Sequence, residues 1–305
     1  MLIFTVPGFF MIGVRINDYL HYLKYEKRYA SHTFTSYKID LEQFSAYLAN
    51  TFSVDDPAVV THFHVRSWLA GLKDEQQQER TINRKISALN SFYKYLLRNQ
   101  HIAKNPLRQL HALRVPKRLP TFLKESETQF LLEEIDFGEG FKGATDRLIC
   151  ELLYQAGLRR AELINMKEID VEWSLGQLRI LGKGNKERLV PAGTELLAII
   201  QAYIAEKQQL GHNAPQLLVL ETGQPLYEGY VYRTVKKYLQ TATTLGKKSP
   251  HVLRHTFATH LLGNGANIQA IKDLLGHSSL AATQVYTHNN IDQLKEIHKQ
   301  NHPRG

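Results

Sequence analysis

The chain has 305 residues, 43% of them hydrophobic, and carries 38 Lys and Arg against 29 Asp and Glu, for a formal net charge of +9. That apolar content builds globular cores, the length suits two domains, and the basic balance favours an anionic partner, most commonly nucleic acid. The lone cysteine, Cys150, excludes an intrachain disulfide and a zinc site made of several thiolates. It lies in an apolar run, so a buried structural thiol is expected there, and so sparse a use of cysteine fits a reducing cytoplasm. No apolar run has the length needed to span a bilayer, so no membrane partner is expected.

The apolar start, MLIFTVPGFFMIGV, has no basic region before it and no small-residue cleavage site after it, unlike a secretory signal. Residues 1–13 read as an accessory segment or an over-extended start, with Met11 as the alternative initiator. Residues 14–103 read as a helical domain. Phe34, Tyr37, Leu41, Phe44 and Leu48 share one helix face, and a second helix is expected around Val65 to Leu72. In residues 83–98, Ile86, Leu89, Phe92, Tyr93 and Leu96 form an apolar stripe opposite Arg84, Ser87, Ser91, Lys94 and Arg98. The second stripe suits phosphates, with Arg84 and Lys94 as candidate DNA contacts; an ordinary solvated face is the plain alternative. Residues 104–118 form a linker interrupted by Pro106 and Pro116, basic throughout and without an acidic residue. Arg114 and Lys117 are its candidate DNA contacts, against the reading of a simple tether.

Residues 119–305 form a second domain of mixed structure. A helix is expected from Ser126, as cap, to Glu134, and a long apolar helix over residues 145–155. Residues 169–173, 177–181 and 187–190 alternate as strands separated by glycine-containing turns, with Lys183 at the second turn. Helical patterns resume over residues 194–209, 229–243 and 252–262. The fold class is therefore mainly α, with a small antiparallel three-stranded β-sheet and two domains.

Four dispersed segments carry chemistry. In GLRRAEL, Arg159 follows a glycine break where a helix can begin, and its guanidinium can grip phosphate with two parallel hydrogen bonds. Glu162, one turn on, either orients it or, as the plainer reading, forms a surface pair. In GKGNKER, two glycines let Lys183 project from a tight turn; a solvated loop is the alternative. In PHVLRHTF, His251 and Arg254 are three apart on one helix side, pairing a proton carrier with a second phosphate clamp. His255 and His260 lie near, but their spacing is not a metalloprotease pattern and no carboxylate stands where a ligand is needed, so no metal site is expected. In LLGHSSLAATQVYTH, Gly276 stops one helix, Ser278 or Ser279 caps the next, and Tyr286 lies on that next helix, with His277 in the joint.

Together, Arg159, Lys183, His251-x-x-Arg254, His277 and Tyr286 resemble the active-site pattern of the tyrosine recombinase (phage integrase) family, and the surrounding GKGNKERLVP, HVLRHTFATHLL and terminal HPR look like its Xer subgroup. The resemblance covers residues 14–305; Arg160-Ala161 after Arg159 and the apolar N-terminus depart from it. It implies a helical N-terminal core-binding (SAM-like) domain over residues 14–103 and a catalytic domain over 119–305. It implies site-specific cleavage and rejoining of DNA through a 3′-phosphotyrosine and a Holliday junction, in chromosome dimer resolution or in mobile-element integration and excision. Tyr286 would be the nucleophile, Arg159 and Arg254 the clamp on the non-bridging oxygens, Lys183 the acid for the 5′ oxygen, His251 an acid or base, and His277 a hydrogen-bond donor to the phosphate. No metal or other cofactor is implied, because the protein supplies both nucleophile and positive charge. The implied partners are double-stranded DNA, a homo- or hetero-tetramer that includes a second recombinase, and a septal DNA translocase, in the cytoplasm. The amphipathic tail, residues 291–300, would dock on a neighbouring protomer; packing within its own chain is the alternative. A type IB topoisomerase shares the tyrosine chemistry, but the Xer-like spacing and the small size argue against it. A DNA-binding protein that does not cut would lack a catalytic residue, and none is missing.

Overall fold

The computed structural model describes residues 11–27, 29, 31–110, 112–115, 121–182, 186–276 and 288–304. It divides into two compact units, Met1–Arg118 and Leu119–Gly305. Among the described residues no helix is long and apolar enough to cross a membrane.

The first unit is helical. It contains α1 (Met11–His21), which runs into a π turn at Tyr22–Glu26, then α2 (Ser31–Phe52), α3 (His62–Asp74) and α4 (Glu79–Arg98). The apolar stripe of α4, Ile82, Ile86, Leu89, Phe92, Tyr93 and Leu96, is buried at helical spacing. It shares a core with Tyr19 of α1, Leu41, Phe44 and Leu48 of α2, and Trp68 of α3. The polar face of α4 is drier than its sequence implies. Ser91 accepts a 2.7 Å hydrogen bond from the Tyr19 hydroxyl. Lys85, outside both expected stripes, is buried; it donates to Asp40 Oδ1 at 2.9 Å and to Gln43, with its ammonium over the Trp68 ring. Asp40 is fully buried, so this pair and Arg84 together satisfy its charge.

The second unit packs around α6 (Gly140–Gln155). Leu148, Ile149, Cys150, Leu152 and Leu153 are wholly buried, so this helix is apolar nearly all round and is covered on several sides. Its neighbours are α8 (Thr194–Gln209), α9 (Glu228–Ala242) and α10 (Pro250–Gly263). A three-stranded antiparallel sheet, β1 (Val171–Glu172), β2 (Gln177–Leu181) and β3 (Glu187–Pro191), lies in that order, with Leu178 opposite Val190 and Ile180 opposite Arg188. Two local expectations are corrected. The N-cap lies two residues before the expected Ser126: α5 (Glu125–Gln129) has Lys124 as N-cap, whose backbone N–H bonds the Glu127 carboxylate at 2.8 Å, and continues as a π turn to Glu134. The first strand is only two residues long, because Glu168–Asp170 and Trp173–Leu175 form 3-10 turns that leave Ile169 and Trp173 exposed.

The unit is completed by α7 (Arg160–Asn165), α11 (Ile268–Leu275) and α12 (His288–Asn301). The end of α12 packs on its own unit. Leu294, His298 and His302 are buried, His298 Nε2 donates to the Gln155 carbonyl at 3.1 Å, and both imidazoles lie against Phe257. Beneath them the Tyr154 hydroxyl donates to His260 Nδ1 at 3.0 Å, and His260 Nε2 donates to the Leu123 carbonyl at 2.9 Å. Arg304 bonds both carboxylate oxygens of the fully buried Glu151 at 3.2 Å.

Burial lowers the pKa of His298, and burial together with the charge of His298 and His260 lowers that of His302 well below 6.5. A histidine whose folded pKa is depressed contributes stability above its unfolded value and loses it as pH falls. The unfolding temperature is therefore expected to drop between about pH 7 and pH 5, the range set by an ordinary histidine pKa near 6.5. His302→Gln should flatten that dependence, as read by thermal melts across the range; an unchanged slope would show that His302 does not stay neutral in the fold.

Candidate active site

Gly157 has φ +58°, the left-handed backbone that ends α6. A Cβ there would lie 2.6 Å from the Phe257 ring, so no other residue fits without displacing a core aromatic. The turn places Arg159 as N-cap of α7. The Arg159 backbone N–H bonds Glu162 Oε2 at 2.8 Å, and its side chain donates to Glu162 Oε1 at 2.6 Å. On α10, Ser249 is N-cap and Pro250 takes the first turn, where a missing N–H is harmless. His251 and Arg254 follow on that helix.

Glu162 is the centre of the site. It is 7% exposed, which overturns the reading of a surface pair with Arg159. Arg188 of β3 grips both of its oxygens, at 2.9 and 2.8 Å, and Arg254 lies 3.7 Å away. Burial would raise the carboxyl pKa, but the hydrogen bonds and charge of Arg188, and then the bonds from Arg159, hold it down at about 2. The same crowding acts on the cations: burial first, then the charges of Arg159 and Arg188, push Arg254 down to about 9, with Glu162 opposing. Arg254 therefore remains charged at neutral pH.

The three guanidinium groups also converge on the end of α11. Arg188 Nε donates to the Leu274 carbonyl at 2.7 Å, Arg254 to the Leu275 carbonyl at 2.6 Å, and Arg159 to the Gly276 carbonyl at 3.0 Å. Arg254 also donates to the Gly157 carbonyl. Three successive carbonyls at a helix C-terminus, the negative end of its dipole, thus each meet a cation. Gly276 adopts φ +61°, and a Cβ on it would lie 2.9 Å from Arg188 Cδ.

His251 is exposed in part. Partial burial and the charges of Lys247, Arg160, Arg254 and Arg159 lower its pKa, so at neutral pH it is a neutral proton acceptor. Arg159, His251 and Arg254 are thus brought together by the fold. Lys183, His277 and Tyr286 lie outside the described residues. The hairpin that carries residue 183 is closed at its base by the Gly182 N–H donating to the Lys186 carbonyl at 2.7 Å, and residue 277 follows the arginine-held end of α11. In the first unit, Lys94 and Arg114 are exposed, Arg84 donates to Asp40 and to the Ser36 carbonyl, and Lys117 lies outside the described residues. Sequence reasoning missed Arg188. The signal was there: strand alternation gives it the inward parity of Val190, an unusual place for a charge.

A carboxyl held near 2 contributes stability above its ordinary value of 4.5 and loses it as pH falls through 2. Glu162→Gln is expected to destabilise the second unit by about 3 kcal/mol at pH 7 and to flatten the acid limb of stability below pH 4.5, measured by denaturant melts at several pH values. Equal acid sensitivity in both proteins would mean that Glu162 is not the shared anion.

Residues 121–293 match the phage integrase family, and residues 16–100 match the phage integrase N-terminal SAM-like domain. The chain is 37% identical over 297 residues to the tyrosine recombinase XerC of Halalkalibacterium halodurans, covering 95% of this chain and 97% of that one. It is 34% identical over 293 residues to the tyrosine recombinase XerD of Staphylococcus epidermidis, covering 95% and 99%. In fold it is similar to the XerH site-specific recombinase bound to a palindromic difH substrate in a post-cleavage complex, with TM-score 0.70, 23% identity, and 86% and 78% of the two chains covered. It is also similar to a lambda integrase tetramer bound to a Holliday junction, with TM-score 0.65, 18% identity, and 94% and 78% covered. With both units matched and these relatives aligned over nearly the whole chain, the chain belongs to the phage integrase family, among its Xer-type tyrosine recombinases.

Proposed function

We propose that this recombinase cleaves and rejoins duplex DNA with Tyr286 as nucleophile, and that Arg159 and Arg254 hold the scissile phosphate. One observation carries the assignment of the clamp: two guanidinium groups from distant parts of the chain are fixed side by side on one carboxylate and one helix end.

The chemistry follows from the groups. The Tyr286 phenolic oxygen attacks phosphorus, and the P–O5′ bond breaks. A phenol near neutrality is protonated, so a base must take its proton; His251, neutral because its pKa is lowered, is suited to that. Lys183 delivers a proton to the departing 5′ oxygen. Arg159 and Arg254 offset the charge that grows on the non-bridging oxygens, and His277 donates to the same phosphate. The 3′-phosphotyrosine conserves the phosphodiester energy, so attack by a 5′ hydroxyl of the partner strand reseals the DNA without ATP. Lys94, Arg114 and Lys117 contact the backbone. Arg84 shares its charge with Asp40 and contributes less to phosphate binding.

Similarity to both XerC and XerD proteins supports assembly on DNA as a tetramer, with a second recombinase as the partner on the same site and a septal DNA translocase as activator, in the cytoplasm. Chromosome dimer resolution is the reading that these relatives favour over integration and excision.

Tyr286→Phe is expected to bind target DNA as the wild type does and to trap no covalent adduct on a nicked substrate, as seen by denaturing gel; an adduct that persists would remove Tyr286 from the nucleophile's place. Lys183→Ala should slow cleavage of ordinary DNA about 10²-fold or more yet spare a substrate with a sulfur 5′ leaving group, which needs no proton. Equal slowing on both substrates would refute the acid role.

A further inference from the structure

We infer that Arg188 is a positioning residue for the phosphate clamp: it never touches DNA, and it sets the orientation of Arg159 and Arg254 through Glu162 and the end of α11. The inference rests on the reading of Arg159 and Arg254 as that clamp.

Three features separate Arg188 from its two neighbours. Its side chain is 4% exposed, against 35% for Arg159. Each of its three nitrogens already donates within the protein: Nε to the Leu274 carbonyl, and the two terminal nitrogens to the two oxygens of Glu162. A guanidinium so buried, with a bond from each nitrogen already made inside the protein, has no access to a phosphate. Its backbone is also held by strand pairing, because β3 is paired with β2 along its whole length, while Arg159 caps a six-residue helix.

The geometry explains what that fixed point does. The fork-to-fork bond orients both oxygens of Glu162 in one plane. Glu162 then presents Oε1 to the Arg159 side chain and Oε2 to the Arg159 backbone. On the other side, Nε holds the Leu274 carbonyl, and the next two carbonyls receive Arg254 and Arg159. The bare α-carbon of Gly276 lets the Arg188 stem lie under this turn; a Cβ there would meet Cδ at 2.9 Å. Arg188 therefore touches both anchors that the two clamp residues share, Glu162 and the end of α11. A lysine in its place keeps the charge but loses the planar fork and the Nε bond, and a methionine keeps only the volume.

The test compares wild type, Arg188→Lys, Arg188→Met and Arg159→Ala on two substrates. One has an ordinary scissile phosphodiester; the other has a methylphosphonate there, which removes the negative charge that a guanidinium would hold. Arg188→Met is expected to cleave ordinary DNA about 10²-fold more slowly with DNA affinity within about threefold of wild type, the signature of an interaction felt in the transition state. Arg188→Lys should fall about tenfold. On the methylphosphonate both deficits should shrink to a few-fold, in parallel with that of Arg159→Ala. Where Arg188→Met fails to fold, as judged by circular dichroism, Arg188→Lys carries the comparison. Equal slowing on both substrates, or a loss of rate that only tracks a loss of melting temperature, would overturn the inference and leave Arg188 as a plain structural residue. An Arg159→Ala deficit that does not shrink on the methylphosphonate overturns the clamp reading itself, and the inference with it.

Discussion

One carboxylate with almost no access to water holds the catalytic unit's charges in register. Glu162 is bonded to Arg188 and Arg159 and lies beside Arg254, and without it three cations would crowd together, two of them buried. Breaking a buried ion pair costs far more than an exposed one, because the survivor remains uncompensated. The carboxylate does not neutralise the cluster; it leaves an excess of positive charge. That balance suits a site built for an anion: enough negative charge for the protein to fold, too little to occupy the site in place of a phosphate.

The second partner of the cluster is a helix end. The C-terminal carbonyls of α11 carry partial negative charge and would otherwise need water or a capping residue. Here they take N–H groups from all three arginines, so the stop of α11 at Gly276 and the placement of the guanidinium groups are one event. Elements from four regions of the chain, the α6–α7 turn, β3, α10 and the end of α11, meet at that point. A site that must hold a phosphate gains from such a hub, because each of these four elements is tied to the same carboxylate or the same turn.

Much of this was legible in the sequence, for identifiable reasons. The glycine break before Arg159, the three-residue spacing of His251 and Arg254, and Gly276 as a helix stop follow from local backbone rules, and local rules are what a sequence shows directly. The sheet was readable from its turns, although the first strand shrank where Ile169 and Trp173 stay exposed. Burial of charge was not readable. Glu162 looked like a surface pair because spacing along a helix says nothing of what packs over it. Arg188, 26 residues away, is what removes Glu162 from solvent. The same limit hid Lys85 and Asp40 in the first unit, which are partnered across 45 residues. Long-range ion pairs become visible only once the fold has brought the partners together.

The exposures of the three arginines form a gradient: 35% for Arg159, 9% for Arg254 and 4% for Arg188. Desolvating a guanidinium is costly, and in this unit the cost for the inner two is met when the chain folds, through Glu162 and the helix carbonyls. A phosphate arriving from solvent would then reach Arg159 first and meet groups that are already dry and already aimed. Donors that need not reorganise as charge develops act more strongly on a transition state than donors that must be ordered at that moment. This is the physical reason for burying charge beside an active site, even though apolar residues would pack more cheaply in the same volume.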